Sequence, residues 1–349
     1  MRKGILYGLL PIIVSFIMVV SVAAHVPVTP LAGTNLSNAA EIEDPTKSWV
    51  IYSELQSAKT PQYYHFEMDK GLGIRLMLMV PIEYGFMGFR PSLALMGPGL
   101  ANQSTPPSYL ETSPQNGVMI FDSGVPSAVY EGFTPTSFYQ LIDISMTAPE
   151  NGTYYIAVYD SSSGGRYSIA VGYVESFTLD EWWLVPFGVI TIHLWSGQSL
   201  ATILAPFFAI PALGIILVAS QRRDLHAKKN ALTWVGITGS LLYVASGVSI
   251  LYEMMIALLT APFSLQVLVT IIFVLIPLLL GMAAFRMVLS NDWDKNRGKI
   301  LKLLIIGVAG PFAWAGLLAG PVMLLLVALV PLVASMVSRG RHEPSTQSM

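Results

Sequence analysis

A carboxyl inside an apolar run is the first place to look for chemistry, and Glu253 stands in such a run, Leu251-Tyr252-Glu253-Met254-Met255. An ionisable side chain there marks a proton or ion pathway, or a structural partner for Tyr or Trp groups. Upstream, the stretch that starts Glu181-Trp182-Trp183 and ends His193-Leu194-Trp195-Ser196-Gly197-Gln198 brings Glu181, His193 and Gln198 together as polar groups of a second candidate site. Its tryptophans suit a membrane–water interface, where amphipathic rings settle. The stretch reads as a short platform at the bilayer surface, with a site between the flanking regions as the sharper alternative.

Metal chemistry has weaker candidates. Glu41, Glu43 and Asp44 cluster near the start of the chain and Asp160 lies in a Ser/Gly-rich loop, the kind of oxygen set that calcium draws from loops. A solvated acidic surface explains the same residues. Asp292-x-Asp294-x-Asn296 comes nearest to a calcium-loop motif, but Gly298 is one residue late and Leu303 replaces the bidentate Glu. The absence of cysteine removes disulfides, thiolate metal sites and cysteine nucleophiles. Neither Gly-x-Ser-x-Gly nor His-Glu-x-x-His occurs, so the sequence leans against an intrinsic hydrolase and leaves enzyme activity undecided. In the apolar half the histidines are His193, His226 and His342, which offer no facing pair for a haem inside a helical bundle.

Composition says what must position these residues. The chain of 349 residues is 53% hydrophobic and 11% charged, too apolar for two soluble globules. Residues 25–181 contain sixteen Asp/Glu against six Lys/Arg, and residues 182–349 contain five against eleven. That asymmetry points to two compartments, and no basic run interleaved with aromatics marks a nucleic-acid binder. A basic start, an apolar run and Ala23-Ala24 predict a signal peptide over 1–24. A leading segment follows over 25–48, then an extracytoplasmic β-rich domain over 49–180 and the aromatic interfacial segment over 181–198.

Apolar windows at 199–220, 231–259, 264–289, 300–318 and 321–338 predict about five transmembrane helices within 199–338, the last two separated by a tight break at Gly320-Pro321. Residues 339–349 form a tail. The basic clusters Arg222, Arg223, Lys228 and Lys229, then Lys295, Arg297, Lys299 and Lys302, then Arg339 and Arg341, all fall on one side of such a bundle. Cytoplasmic retention of bases therefore predicts a multi-pass cell-membrane protein with its N-terminal domain outside and its C-terminus in the cytoplasm. Asn35, Asn102 and Asn151 begin glycosylation sequons upstream of the bundle, consistent with that orientation. Gly236-x-x-x-Ser240 and Gly316-x-x-x-Gly320 place small residues on one helical face for close helix contact.

Between Trp49 and Tyr173, eight runs of β-formers at 49–55, 63–69, 74–80, 92–96, 118–121, 138–146, 153–159 and 167–173 predict an all-β sandwich or jelly roll. The last two, joined by the Ser/Gly loop after Tyr159, read as a β-hairpin. Tyr154, Ile156 and Val158 form its likelier core face. The hairpin, with Gly152-Thr153-Tyr154 on one strand and Gly165-Arg166-Tyr167 on the other, resembles the closing hairpin of the pre-peptidase C-terminal domain family. Tyr64-His65-Phe66, Gly71-Leu72-Gly73-Ile74 and Pro91-Ser92-Leu93-Ala94-Leu95 resemble that family's central strands. The resemblance covers roughly Trp49 to Val174 and implies a non-catalytic accessory domain that binds carbohydrate or protein. The Pro- and Ser-rich insertion from Leu100 to Phe133 departs from that pattern.

Three functions stay open. The leading one is a membrane-anchored surface binding or sensory protein with a glycan or protein ligand. A transporter or channel component using Glu253, and an accessory subunit contacting other chains of a membrane enzyme complex, are the alternatives.

Overall fold

The computed structural model describes residues 26–28, 33–103, 105–176, 178–221 and 231–340. The signal peptide expected over 1–24, the basic loop at 222–230 and the tail after 340 lie outside the described residues. The described chain divides into a sheet-rich unit, through Ser127 and again from Tyr139 to Phe177, and a helical unit, Ala128–Phe138 plus the chain from Thr178 onward.

Among the described residues there are eleven strands: β1 Val26–Val28, β2 Ala40–Glu41, β3 Trp49–Leu55, β4 Gln62–Met68, β5 Gly73–Pro81, β6 Ser92–Gly97, β7 Gly117–Phe121, β8 Ser127–Glu131, β9 Thr136–Thr147, β10 Gly152–Tyr159 and β11 Gly165–Val171. A short helix, α1 (Ile82–Phe86), follows β5. The strands form two sheets, ordered β1-β3-β11-β5-β9-β8 and β2-β4-β10-β6-β7. All eight expected strands are present; β1, β2 and β8 are additional, the first two being too short to show an alternating pattern.

β10 and β11 do not form a hairpin. Tyr154 pairs with Phe66 of β4 and Ile156 with Leu95 of β6, whereas Ile169 of β11 pairs with Ile51 of β3 and Leu78 of β5, in the other sheet. The connection between them is an arch, and its geometry comes from Asp160. That carboxylate accepts hydrogen bonds from the Ser162 and Ser163 N–H groups at 2.7 and 2.9 Å and from the Ser162 hydroxyl at 2.7 Å. A side chain that satisfies its own turn lets the chain leave one sheet without a ladder partner.

Side chains from both sheets share one core. Ile51, Leu76 and Ile169 of the first meet Phe66, Leu95 and Ile156 of the second. Alternation along each strand turns these residues to the same side. Tyr154 stacks on Phe66 at 5.8 Å, and Gly97 leaves room for it, since a Cβ there would sit 2.2 Å from the Tyr154 ring. The hydroxyls of Tyr64 and Tyr167 meet at 2.7 Å across the two sheets, which satisfies two polar groups that burial would otherwise penalise. The opposite face of β10 is buried as well: Ala157 and Tyr159 pack with Tyr63, Met96, Leu110 and Val118 in a second cluster. Leu110 belongs to the Pro- and Ser-rich insertion, which thus covers the sheet's outer face.

The helical unit contains α2 Leu179–Trp195, α3 Leu200–Gln221, α4 Ala231–Ala257, α5 Gln266–Leu289, α6 Arg297–Ala309 and α7 Ala319–Gly340. α3, α4 and α5 are long and apolar enough to cross a membrane. Residues 300–318 are not one helix. α6 ends at Ala309, and two 3-10 turns follow, Gly310–Ala313 and Ala315–Leu317, with Trp314, Leu317 and Leu318 at positive φ. The break expected at Gly320-Pro321 therefore comes earlier, where Gly310-Pro311 admits a tight turn and Gly316 takes φ +73°. Gly316 and Gly320 consequently do not share a helical face. Together with Gly310 they make room for the buried Tyr243 ring, whose hydroxyl donates to the Ile306 carbonyl at 2.9 Å. Gly236 lies so close to Val288 that a Cβ there would meet it at 3.0 Å, so this small residue serves packing within the chain.

Candidate functional site

The helical unit holds a buried polar cluster built from three elements. α2 carries His193 in its last turn, the turn after it carries Gln198, and α4 carries Glu253 one turn before its end. The chain reverses between α2 and α3 through Gly197 at φ +103°, a conformation that glycine adopts freely. Gln198 donates its backbone N–H to the His193 carbonyl at 3.0 Å, which closes the turn and aims the amide side chain.

The Gln198 amide nitrogen donates to Glu253 Oε2 at 2.5 Å, and His193 Nδ1 lies 3.6 Å from the same oxygen. His193 is 2% exposed and Glu253 4%. Glu253 Oε1, Gln198 Oε1 and His193 Nδ1 are buried without a hydrogen-bond partner among the described residues. Buried polar atoms are almost always paired, and a charge is costly to bury unless it is paired and hydrogen-bonded. The structure thus brings His193, Gln198 and Glu253 together. Glu181 stands apart from them: its carboxylate accepts the Thr178 N–H at 2.8 Å and caps the start of α2.

A second polar network in this unit surrounds residues 128–138, and nothing in the sequence pattern singled it out. The Tyr130 hydroxyl meets Thr270 Oγ1 at 2.6 Å, and Thr270 Oγ1 donates to the Gly132 carbonyl at 2.6 Å. The Gly132 N–H donates to Gln266 Oε1 at 3.1 Å, and the Ser137 hydroxyl meets that of Thr260 at 2.7 Å. Phe133 lies edge-on to Trp314 at 4.9 Å, and Trp314 stacks on Phe273 at 5.4 Å. Glu131 closes the turn by accepting the Phe133 and Thr134 N–H groups at 2.8 and 2.7 Å. Burial pushes its carboxyl above the ordinary range, while the hydrogen bonds from Thr134 and Phe133 pull it down. The available signal was Gln266 and Thr270, two polar residues at helical i, i+4 spacing in an apolar helix.

In the sheet-rich unit, a cleft of about 440 Å³ is lined by Asp44, Thr46, Glu67, Asp69, Leu72 and Asn151, among others. The Asp44 carboxylate accepts the Thr46 hydroxyl at 2.7 Å and the Thr46 N–H at 3.0 Å. The Thr46 side-chain bond, with the Thr46 and Lys47 N–H groups, holds its carboxyl below the usual range against the smaller effect of burial. Among the described residues no three His, Cys, Asp or Glu side chains gather as a metal site. Glu41, Glu43, Asp44 and Asp160 form no such group among the described residues. Asp44 and Asp160 are engaged in their own turns. Of the sequon residues, Asn102 and Asn151 are exposed and Asn35 half-buried, and Asn151 Oδ1 accepts the Lys70 N–H at 2.7 Å. Ser104 of the second sequon lies outside the described residues.

No protein-family model and no curated protein matches this chain.

Proposed function

We propose that this is a multi-pass cell-membrane protein whose β-sandwich, of the pre-peptidase C-terminal type, binds a glycan or protein ligand outside the cell and reports that binding to the helices. One observation carries this reading. The chain enters the helical unit at Ala128, leaves it after Phe138 and enters again at Thr178. An anchor needs a single covalent link. Residues 128–138 add two further covalent links, and within the helical unit they hydrogen-bond to Thr260, Gln266 and Thr270.

The cleft beside Asp44, Glu67 and Asp69 supplies a place for ligand hydroxyls or a basic peptide side chain. Its carboxylates accept hydrogen bonds and favour positive charge. α6 and α7 complete five crossings in this reading, with the bases of 295–302 on the cytoplasmic side and the sequons outside.

The test uses the full-length protein in lipid nanodiscs, screened against a glycan array and a library of basic peptides. Binding that is lost in D44N/E67Q/D69N, together with slower hydrogen exchange at 128–138 and 260–273 on ligand addition, is the expected result. Binding without any change at 260–273 leaves a simple anchor. Absence of binding, with other chains co-purifying stoichiometrically, makes the protein a subunit of a membrane complex instead.

A further inference from the structure

We propose that Glu253, His193 and Gln198 form a proton site in the helical unit, where one proton is exchanged between the Glu253 carboxyl and the His193 imidazole. The cluster is short of hydrogen-bond donors. Two buried oxygens, Glu253 Oε1 and Gln198 Oε1, accept and have no donor among the described residues. The Gln198 amide N–H is already directed at Glu253 Oε2. A carboxylate beside a neutral imidazole leaves net negative charge in this buried place. One added proton makes the pair neutral overall, either as carboxylic acid with imidazole or as carboxylate with imidazolium.

The 3.6 Å separation of His193 Nδ1 from Glu253 Oε2 is too long for a hydrogen bond and short enough for a rotamer adjustment to make one. Transfer breaks the carboxyl O–H bond and forms an N–H bond with the Nδ1 lone pair. Carboxylate and imidazolium result, and no further reactant takes part. The imidazole must carry its neutral-state proton on Nε2 for Nδ1 to accept.

Charged neighbours do not supply the missing proton: Tyr130, which packs with Met254 and Ala257 of α4, meets Thr270, and the adjacent Glu131 carboxylate accepts from Phe133 and Thr134. α3 contains no ionisable side chain, and the bases of α5 and α7 are Arg286 and Arg339, at the far ends of those helices from the Glu253 end of α4. Arg297, Lys299 and Lys302 occupy the first turns of α6. On α4 itself, Tyr243 is engaged with Ile306 and Tyr252 is exposed. On α2, Glu181 caps the opposite end from His193.

A metal cation fits the cluster poorly. Calcium takes about six to eight oxygens, and two free oxygens are on offer.

The experiment is infrared difference spectroscopy of the full-length protein in nanodiscs, titrated with pH. We expect, among the protonated-carboxyl bands that gain and lose intensity, one that is missing in E253Q and shifts its midpoint by about one unit or more in H193Q. Q198L, which removes the donor to Oε2 and leaves Glu253 in place, shifts it as well and serves if E253Q does not fold. A spectrum in which E253Q loses no protonated-carboxyl band, or a midpoint unmoved in both H193Q and Q198L, overturns the proposal. A midpoint that follows sodium concentration at constant ionic strength overturns it in favour of a metal cation.

Discussion

The two units bury their apolar residues by opposite rules. In the sheet-rich unit, tyrosines, leucines and isoleucines fill the interior, and Tyr64, Tyr154 and Tyr167 are fully buried. In the helical unit, glycines, alanines and serines occupy many of the closest contacts, while Phe208, Leu217, Leu259 and Leu265 stay 55–80% exposed. The first pattern is that of a chain folding away from water, where each buried methylene contributes. The second is that of a chain in lipid, where an outward leucine loses nothing and stability comes from close backbone approach and interhelical hydrogen bonds. The same composition of apolar residues thus means an inside in one unit and an outside in the other.

That contrast has consequences that segment-resolved hydrogen exchange reads separately in each unit. Tyr154→Ala should destabilise the sheet-rich unit by roughly 3–5 kcal/mol, because it empties a close-packed site. Phe208→Ala, which deletes an outward ring smaller by one oxygen, should leave protection in the helical unit unchanged. A comparable loss at both positions would break the contrast.

Thr270→Val should cost roughly 1–3 kcal/mol, since it strands the buried Tyr130 hydroxyl and the Gly132 carbonyl. The loss of protection should be confined to residues 128–138 and the start of α5. Gly316→Ala is expected to cost about 1–2 kcal/mol from its left-handed backbone, with added crowding against Pro321 at 3.1 Å and Tyr243 at 3.2 Å. Greater protection of α6 and α7 in that variant would refute packing by small residues there.

The smallest expected effect concerns pH. Burial acts to raise the Asp160 carboxyl, but the hydrogen bonds from Ser162, Ser163 and Arg90 outweigh it and hold the group below its ordinary value. A depressed folded value stabilises above the unfolded carboxylate range, and the contribution is lost as pH falls through the folded value. Asp160→Asn should therefore flatten the acid limb of the sheet-rich unit's thermal stability without altering that of the helical unit. An unchanged acid limb would show that the arch is held by packing alone.

Much of this fold is legible along the chain. The strand at Trp49–Leu55 matches its expected limits, and α3, α4 and α5 lie within a few residues of their apolar windows. Periodicity and hydropathy are local quantities, and a strand or a spanning helix announces itself through them. The irregular chain from Gly310 to Leu318 escaped because its average hydropathy continues that of α6. Other elements hold that chain in place: the Ser246 hydroxyl accepts the Gly316 N–H at 2.7 Å, and the Trp182 carbonyl accepts the Trp314 indole N–H at 3.0 Å.

Composition and pattern alone determined that this chain has a β-rich half and an apolar helical half, that Tyr154, Ile156 and Val158 face a core, and that Glu253 stands in an apolar run and His193 and Gln198 in an aromatic one. Only the tertiary structure decided that β10 and β11 belong to different sheets, that residues 128–138 pack with helices, and that a histidine from α2 meets a glutamate from α4. The physical reason is the range of the forces involved. Side-chain alternation and apolar length act over a few residues of one segment. Pairing partners and polar contacts are chosen among segments distant in the chain, by which combination leaves the fewest buried groups unpaired.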